Sequence, residues 1–342
     1  MEGGLMIGVD GGGTHTRAVA VRSDGTIAAS AIGSGLNYNN IGLSAARENL
    51  KLVVDSLLSR CDKAVYRRLV VGLSALDFPA DEETRRSFAG EIFDTGALDL
   101  ESDAYIALMG VTLGGPGAIA ICGTGSMLLL LDEDGKQHVS GGWGHALGDV
   151  GSSHTLAVEG LRAAINAWEG TGRKTGLCDA ALDYYGVSKP RALIGHIYSP
   201  VPEPWRMAQF ARIVLTLART DNVARGIVRS NMTRLARQTL AMLSGHDAID
   251  RIGVYGGVFQ HHPWVMDFYA GEIKKERPKA EIVLPAYPPE VGAVIHAFIN
   301  DGTLTEDVLR SLSLGVPSQV QEPLRSAHEA AAVPYGAQAN ES

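Results

Sequence analysis

The chain has 342 residues, of which 45 % are hydrophobic and 20 % charged, and its formal net charge is −8. That composition excludes a disordered chain, a collagen and a coiled coil, and the length suggests about two average domains with a real core each. The acidic balance argues against sequence-independent nucleic-acid binding, which needs clustered Lys and Arg, but permits a small anion held by local groups or a metal ion.

Taken in order, Leu5–Asp10, Thr16–Val21 and Thr26–Ala31 read as three short strands, the last two joined at an Asp24-Gly25 hairpin signal. A helix is expected from about Leu43 to Arg60, with Leu43, Ala46, Leu50, Val53, Val54, Leu57 and Leu58 on one stripe. A buried-type strand (Leu69–Leu73), a polar helix (about Asp81–Phe93), a short strand (Ala97–Leu100) and a helix (about Ser102–Leu113) follow. That alternation implies parallel strands with crossover helices. Glycines and a proline at 114–117 mark a boundary, after which the opening plan recurs: strand Ala118–Cys122, turn, strand Met127–Leu131, an Asp134-Gly135 turn, strand Gln137–Ser140. Residues 152–249 are mostly helical. Strand Arg251–Tyr255, helix Gln260–Arg277, strand Glu281–Leu284 and helix Pro289–Ile299 complete the pattern. Two copies of one plan imply two related domains. We expect domains at 1–113 and 114–300, and a C-terminal segment and tail over 301–342 with the option of packing back on the first domain. The tail from about 315 is rich in Pro, Gln, Ala, Ser and Glu and has little of its own to bury.

Glycine is the compositional anomaly: 41 residues, roughly one in eight against a usual share of about 7 %. Several glycines fall in candidate binding loops. Asp10-Gly11-Gly12-Gly13-Thr14 lies between a strand and its hairpin partner. Consecutive glycines let backbone N–H groups approach an anion, Thr14 adds a hydroxyl, and Asp10 can hold a metal ion directly or through water. A plain hairpin turn is the alternative. Gly123-Thr124-Gly125-Ser126 repeats the device in the second copy. Asp103, after a short strand and at a helix start, suits either helix capping or a general base for a hydroxyl. The run GGWGHALGDVGS at 141–152 buries little by itself and favours a ligand site, although Trp143 could plug a core and Asp149 could cap the helix from Ser152. Asn37 is a loop amide able to meet sugar hydroxyls or to serve a turn. Gly256-Gly257, between a strand and a helix, suits close approach of a nucleotide or a plain turn. His145 has no second ligand at metal spacing, which argues against zinc there. Cys61, Cys122 and Cys178 are scattered and odd in number, so neither a disulfide framework nor a CxxC metal site is expected. No signal peptide is apparent, and no stretch approaches the ~18 apolar residues of a membrane span. A cytoplasmic setting is expected.

With DGGGT at 10–14, GTGS at 123–126, GGWGHALGDVGS at 141–152 and YGGV at 255–258, the chain resembles the N-acetylglucosamine kinases. These belong to the BadF/BadG-type ATPase group of the superfamily of sugar kinases, actin and heat-shock chaperones. The resemblance covers about residues 5–300. It implies an α/β fold of two similar actin-like (ribonuclease H-like) domains, each a mixed sheet flanked by helices, with a cleft between them. It also implies ATP and Mg²⁺ as cofactors, Asp10 positioning the Mg²⁺ through water, and Gly12, Gly13 and Thr14 holding the terminal phosphates. Thr124 and Gly125 would contact ATP, and Gly256 and Gly257 would lie under the adenosine. Sugar contacts would fall to Asn37, Asp103, Ser126, Gly142, Trp143, Gly144 and Asp149, with Asp103 as the base. The implied activity is transfer of phosphate to the 6-hydroxyl of an amino sugar, N-acetylglucosamine first and glucosamine next, by a homodimer with no nucleic-acid or membrane partner. Met127, where some relatives carry a polar residue, leaves the sugar open between these, a muramate-type sugar and another hexose. An ATPase activator of a 2-hydroxyacyl-CoA dehydratase is the alternative from another class, since that family shares the phosphate loops but adds an iron–sulfur cluster on cysteines.

Overall fold

Strand β1 (Leu5–Gly11) is buried along nearly its whole length, as its apolar run demands, and the computed structural model places it in the middle of a five-stranded sheet. The structure describes residues 4–61, 65–198 and 204–319. β2 (His15–Val21) pairs antiparallel with β1 and with β3 (Ile27–Ser34). β4 (Tyr66–Leu73) and β5 (Leu98–Ser102) continue the sheet in parallel, giving the order β3-β2-β1-β4-β5. The β2–β3 turn forms as the Asp-Gly pair predicts: Thr26 N–H donates to Asp24 Oδ1 at 2.9 Å, and Gly25 takes a φ of 83°.

Parallel neighbours need a crossover. α1 (Tyr38–Ile41) and α2 (Leu43–Ser59) lead from β3 to β4, α3 (Glu82–Ala89) from β4 to β5, and α4 (Asp103–Thr112) leaves β5. The predicted stripe of α2 is the one buried: Ala46, Leu50, Val53, Val54 and Leu57 share a core with Ile7, Val9, Ala18, Ala20 and Leu69.

The second sheet holds β6 (Gly117–Cys122), β7 (Ser126–Leu131), β8 (Gln137–Gly141), β9 (Arg251–Tyr255) and β10 (Glu281–Val283) in the order β10-β9-β6-β7-β8. Read from β8 inward, this is the order of the first sheet read from β3, so the repeated plan is a repeated topology. Both copies are α/β, as expected. Between β8 and β9 come α5 (Ser153–Trp168), α6 (Leu177–Tyr185), α7 (Leu193–Tyr198), α8 (Pro204–Ala208), α9 (Ala211–Leu217) and α10 (Asn222–Met242). The helix expected over Gln260–Arg277 is instead two, α11 (Gly257–Gln260) and α12 (Val265–Glu276). Pro263 falls in the break, where its missing N–H and ring deny the helix continuity.

Two compact units result: described residues 4–119, 131–137 and 285–319 form the first, and 120–130 with 138–284 the second. The chain therefore re-enters the first unit at 285, not after 300. The cause is α13 (Pro289–Asn300), which packs on β1, β4 and α4. Gly292 makes that packing close, because a Cβ there would lie 1.9 Å from the carbonyl oxygen of Ile106. α14 (Glu306–Gln319) runs into the stretch read as tail and lies against β3, burying Val308 and Leu312. Tyr287 also ties it down, donating to Leu309 O at 3.0 Å and meeting Ser313 Oγ at 2.9 Å. Residues 320–342 of the expected tail lie outside the described residues. No described helix is long and apolar enough to cross a membrane.

Candidate active site

In the first unit the chemistry gathers at the C-terminal ends of the parallel strands. The loop after β1 is tied from both sides: Gly12 N–H donates to His15 O at 3.1 Å, Leu36 N–H donates to Gly12 O at 3.0 Å, and Ser74 N–H to Gly11 O at 3.2 Å. None of Gly11, Gly12 and Gly13 has a positive φ, so the turn itself does not require them. Gly11 and Gly12 are explained by crowding, since added Cβ atoms would lie 2.9 Å from Gly72 O and His15 O respectively. Gly13 is different: a Cβ there would meet only Asn40 Nδ2, at 3.9 Å. Nothing in the protein asks for that glycine, whereas an anion seated on the exposed loop would. Thr14 beside it is exposed.

Asp10, Gly72 and Glu101 are successive register partners across β1, β4 and β5, so at a strand spacing of about 4.8 Å the outer two sit about 10 Å apart. Asp103 follows Glu101 by two residues. Ser102, not Asp103, caps α4, accepting from Tyr105 N–H at 3.1 Å, so capping does not account for Asp103. Burial pushes the Asp103 carboxyl up to about 6, with repulsion from Asp77 adding to it and the Ala104 N–H opposing. Burial pushes Asp10 up to about 7, aided by the charges of Glu290 and Asp103 and opposed by Arg17, whose Nη1 is 3.9 Å away. A carboxyl held near neutrality beside an exposed glycine-rich loop suits proton transfer or cation binding.

Glu290, in the first turn of α13, is a member of this group that sequence reasoning missed. It is 2 % exposed, burial raises its pKa, and its Oε2 is one of three buried side-chain polar atoms without a hydrogen-bond partner among the described residues. Asn37 also belongs to this unit, but its amide is already engaged. Its Oδ1 caps α1 by accepting from Asn39 N–H at 3.1 Å, and its Nδ2 donates to Ser74 Oγ at 3.2 Å.

In the second unit the GTGS turn is a hub. Gly123 N–H donates to Gly125 O at 2.9 Å, and the first turn of α5 docks on the loop, with Ser153 N–H donating to Gly123 O and His154 N–H to Thr124 O. Gly125 abuts the Asp149 carboxylate, which a Cβ would approach to 3.0 Å. Ser126 N–H donates to Asp149 Oδ1 at 3.2 Å, and Ser126 Oγ donates to Val150 O at 2.8 Å. Asp149, 7 % exposed, holds a φ of 60°, a strained value for a residue with a side chain. Ser152 rather than Asp149 caps α5. Ser126 and Asp149 thus brace the loop internally. Thr124 is exposed, and Gly123 has open space where a Cβ would be.

Trp143 is 72 % exposed, which removes the core-plug reading. Gly142 and Gly144 flank it with positive φ values of 71° and 77°, and Leu147 beside it is 85 % exposed. An apolar loop tip so presented fits a ligand better than a core. Gly256 is explained within the protein: its φ is 94°, and a Cβ would come within 2.4 Å of Cys122 O. The close approach expected there is thus made by the GTGS strand. Gly257 opens α11.

The sequence matches the model of the BadF/BadG/BcrA/BcrD ATPase family over residues 7–297. It is similar to the N-acetyl-D-glucosamine kinase of Dictyostelium discoideum, 27 % identical over 310 residues that cover 86 % of this chain and 97 % of that one. It is also similar to the N-acetylmuramic acid/N-acetylglucosamine kinase of Clostridium acetobutylicum, 26 % identical over 302 residues, or 85 % and 97 % of the two chains. Among solved structures, a protein of Chromobacterium violaceum assigned as an N-acetylglucosamine kinase superposes with a TM-score of 0.69 at 25 % identity, covering 86 % of this chain and 98 % of that one.

Proposed function

The chain belongs to the BadF/BadG/BcrA/BcrD ATPase family, and from that premise we propose that it is an ATP-dependent amino-sugar kinase transferring phosphate to the 6-hydroxyl of N-acetylglucosamine or glucosamine. The observation that carries this reading is the placement of Asp103, half-buried and not capping its helix, on the same strand edge as the Asp10–Thr14 phosphate loop. The kinases named above as relatives span nearly the whole chain and support the same class of reaction.

Asp103 accepts the proton of the attacking hydroxyl. A carboxyl pushed up to about 6 is ionised at neutral pH yet basic enough to take a proton as the bond forms. The N–H groups around Gly12 and Gly13, with the Thr14 hydroxyl, hold the terminal phosphates. Thr124 and Gly125 of the second unit contact ATP, with Gly256 and Gly257 toward its adenosine. Trp143, framed by Gly142 and Gly144, offers its ring face to the sugar, while Asn37, Ser126 and Asp149 shape the loops around it. Mg²⁺, when bound, neutralises charge on the transferring phosphate. The residues fit it: Asp10 is a hard oxygen donor, and the unpartnered Oε2 of Glu290 is another. A cytoplasmic homodimer is part of the same proposal, readable by sedimentation velocity.

The dehydratase-activator alternative needs cysteines at a subunit surface to share a cluster. Cys61 and Cys122 are buried, and Cys178 is half-buried with its Sγ donating to Ala164 O at 3.5 Å. None is presented for that purpose. The deciding experiment is ADP release over a panel of sugars with Asp103→Asn as control. Turnover should depend on an amino sugar and fall about 10²- to 10⁴-fold in the variant. Undiminished turnover in the variant removes Asp103 from the base role.

A further inference from the structure

Glu290 is a buried acid of the first unit that proton transfer makes no use of. The residue is 2 % exposed, and its Oε2 has no hydrogen-bond partner among the described residues. A buried polar atom left unmade calls for a reason. Helix-start electrostatics do not supply it. The gain a first-turn acid draws from the helix dipole is smaller than the cost of taking a carboxylate out of water.

The geometry says what the group faces. α13 lies so close on β1 that a Cβ on Gly8 would come within 2.0 Å of Glu290 O and 2.8 Å of Val294 N. Gly8 and Asp10 are two residues apart on one strand, hence on one face, so the first turn of α13 sits over the Asp10 side of β1. The sheet partner Gly72 is covered by Ile106 of α4, which a Cβ there would approach to 2.2 Å, and the cation paired with Asp10 among the described residues is Arg17, 3.9 Å away. Asp10 and Glu290 share that guanidinium, and Asp103 adds its charge to that of Asp10. Asp103 is distinguished by the backbone N–H of Ala104, which already supports its charge. At Glu290 the residue's own N–H supports the carboxylate, but Oε2 is left without a hydrogen-bond partner among the described residues.

We propose that Glu290 and Asp10 together hold the divalent cation that accompanies the nucleotide, leaving Asp103 free as the base. This rests on the kinase reading, and it assigns a ligand 280 positions away from the phosphate loop in sequence. The oxygens are of the hard type that Mg²⁺ and Mn²⁺ select, and a cation would satisfy at once the unpartnered Oε2 and the mutual repulsion of two buried acids.

The test uses Mn²⁺ as the probe and the free-ion electron paramagnetic resonance signal as the readout, in the presence of ADP, on the full chain and on Glu290→Gln. The glutamine keeps size and shape and removes the charge. Mn²⁺ affinity should fall at least about tenfold, the scale at which metal-site shells are felt, while ADP binding measured in EDTA stays within twofold of wild type. A variant that holds Mn²⁺ as tightly as wild type overturns the assignment. A second measurement needs no variant: Fe²⁺ with ascorbate and peroxide should cut the wild-type chain both near Asp10 and within 288–291, and Mg²⁺ should protect both. Cuts near Asp10 with none at 288–291 also overturn it. The two readings fail differently. Wild-type protein that releases ADP in response to an amino sugar while Glu290→Gln keeps its Mn²⁺ affinity sinks only the ligand assignment. Wild-type protein that takes up neither ADP nor Mn²⁺ sinks both.

Discussion

Replacing Asp10 by Asn should make the protein more stable and inactive. Moving a carboxyl from 3.8 to about 7 by burial and like charge costs the fold about 4 kcal/mol once the group is fully ionised, at 1.36 kcal/mol per pH unit. The sign follows from proton counts. The folded chain keeps this proton after the unfolded chain has lost it, so wild-type stability falls as pH rises from about 4 to about 7, and the asparagine variant does not share that fall. At pH 5 the cost is about 1.7 kcal/mol, and at pH 8 it is about 4 kcal/mol, so the advantage of the variant should widen by about 2.5 kcal/mol between them. For a domain of roughly 150–250 residues that is about 5–10 °C in melting temperature. The assay is scanning calorimetry of both proteins in EDTA at pH 5 and pH 8, following the transition that ADP and Mg²⁺ shift in wild type. An advantage that is equal at the two pH values, or a variant less stable than wild type at pH 8, refutes the account of Asp10 as a strained buried acid.

The remaining predictions are smaller. Because Asp103 sits at about 6 through burial and must be ionised to accept a proton, kcat/KM should be level above about pH 7 and fall about tenfold per pH unit below 6. A profile flat to pH 5 contradicts the base role. Gly13→Ala should leave the melting temperature within a degree or two, since its Cβ meets nothing closer than 3.9 Å, yet weaken ADP binding measured by calorimetric titration. Gly256→Ala, at a φ of 94° and 2.4 Å from Cys122 O, should do the reverse in order of severity and destabilise by about 1–3 kcal/mol before any effect on ligand is visible. Equal stability losses in the two variants would show that the two glycines do not differ as argued.

What could be read from the sequence was whatever is local. The Asp24-Gly25 turn, the apolar stripe of α2 and the meander that recurs after residue 117 depend on neighbours a few positions apart, and each appears where its spacing puts it. Positions whose meaning depends on a distant partner were harder. Asn37 and Ser126 are loop polars that look free in sequence but are bonded to Ser74 and to Val150 and Asp149. Gly256 showed that a backbone approach occurs without showing that the approaching group is the Cys122 carbonyl. Glu290 gave the weakest signal, because an acid after two prolines reads as an ordinary helix start. Only the packing of α13 onto β1 makes it a neighbour of Asp10. Pro263 suits the start of a helix as well as a break, so a single helix over Gln260–Arg277 with Pro263 near its start is the reading the sequence permits, and the structure shows the break.

The return of the chain at residue 285 has a consequence for biogenesis. The sheet of the first unit is synthesised early, but the helix that covers the Gly8 face of β1 ends at Asn300. At roughly 5–20 residues per second, the ribosome needs about 10–40 s to make the intervening stretch. During that interval the Gly8 side of β1 lacks its covering helix, although Ile106 of α4 already lies over Gly72, whereas residues 138–284 form a continuous piece able to close first. The half of the chain that is born first is therefore finished last. Its carboxylate cluster is completed only with α13, so a nascent chain has its Asp10–Thr14 loop well before Glu290 is in place.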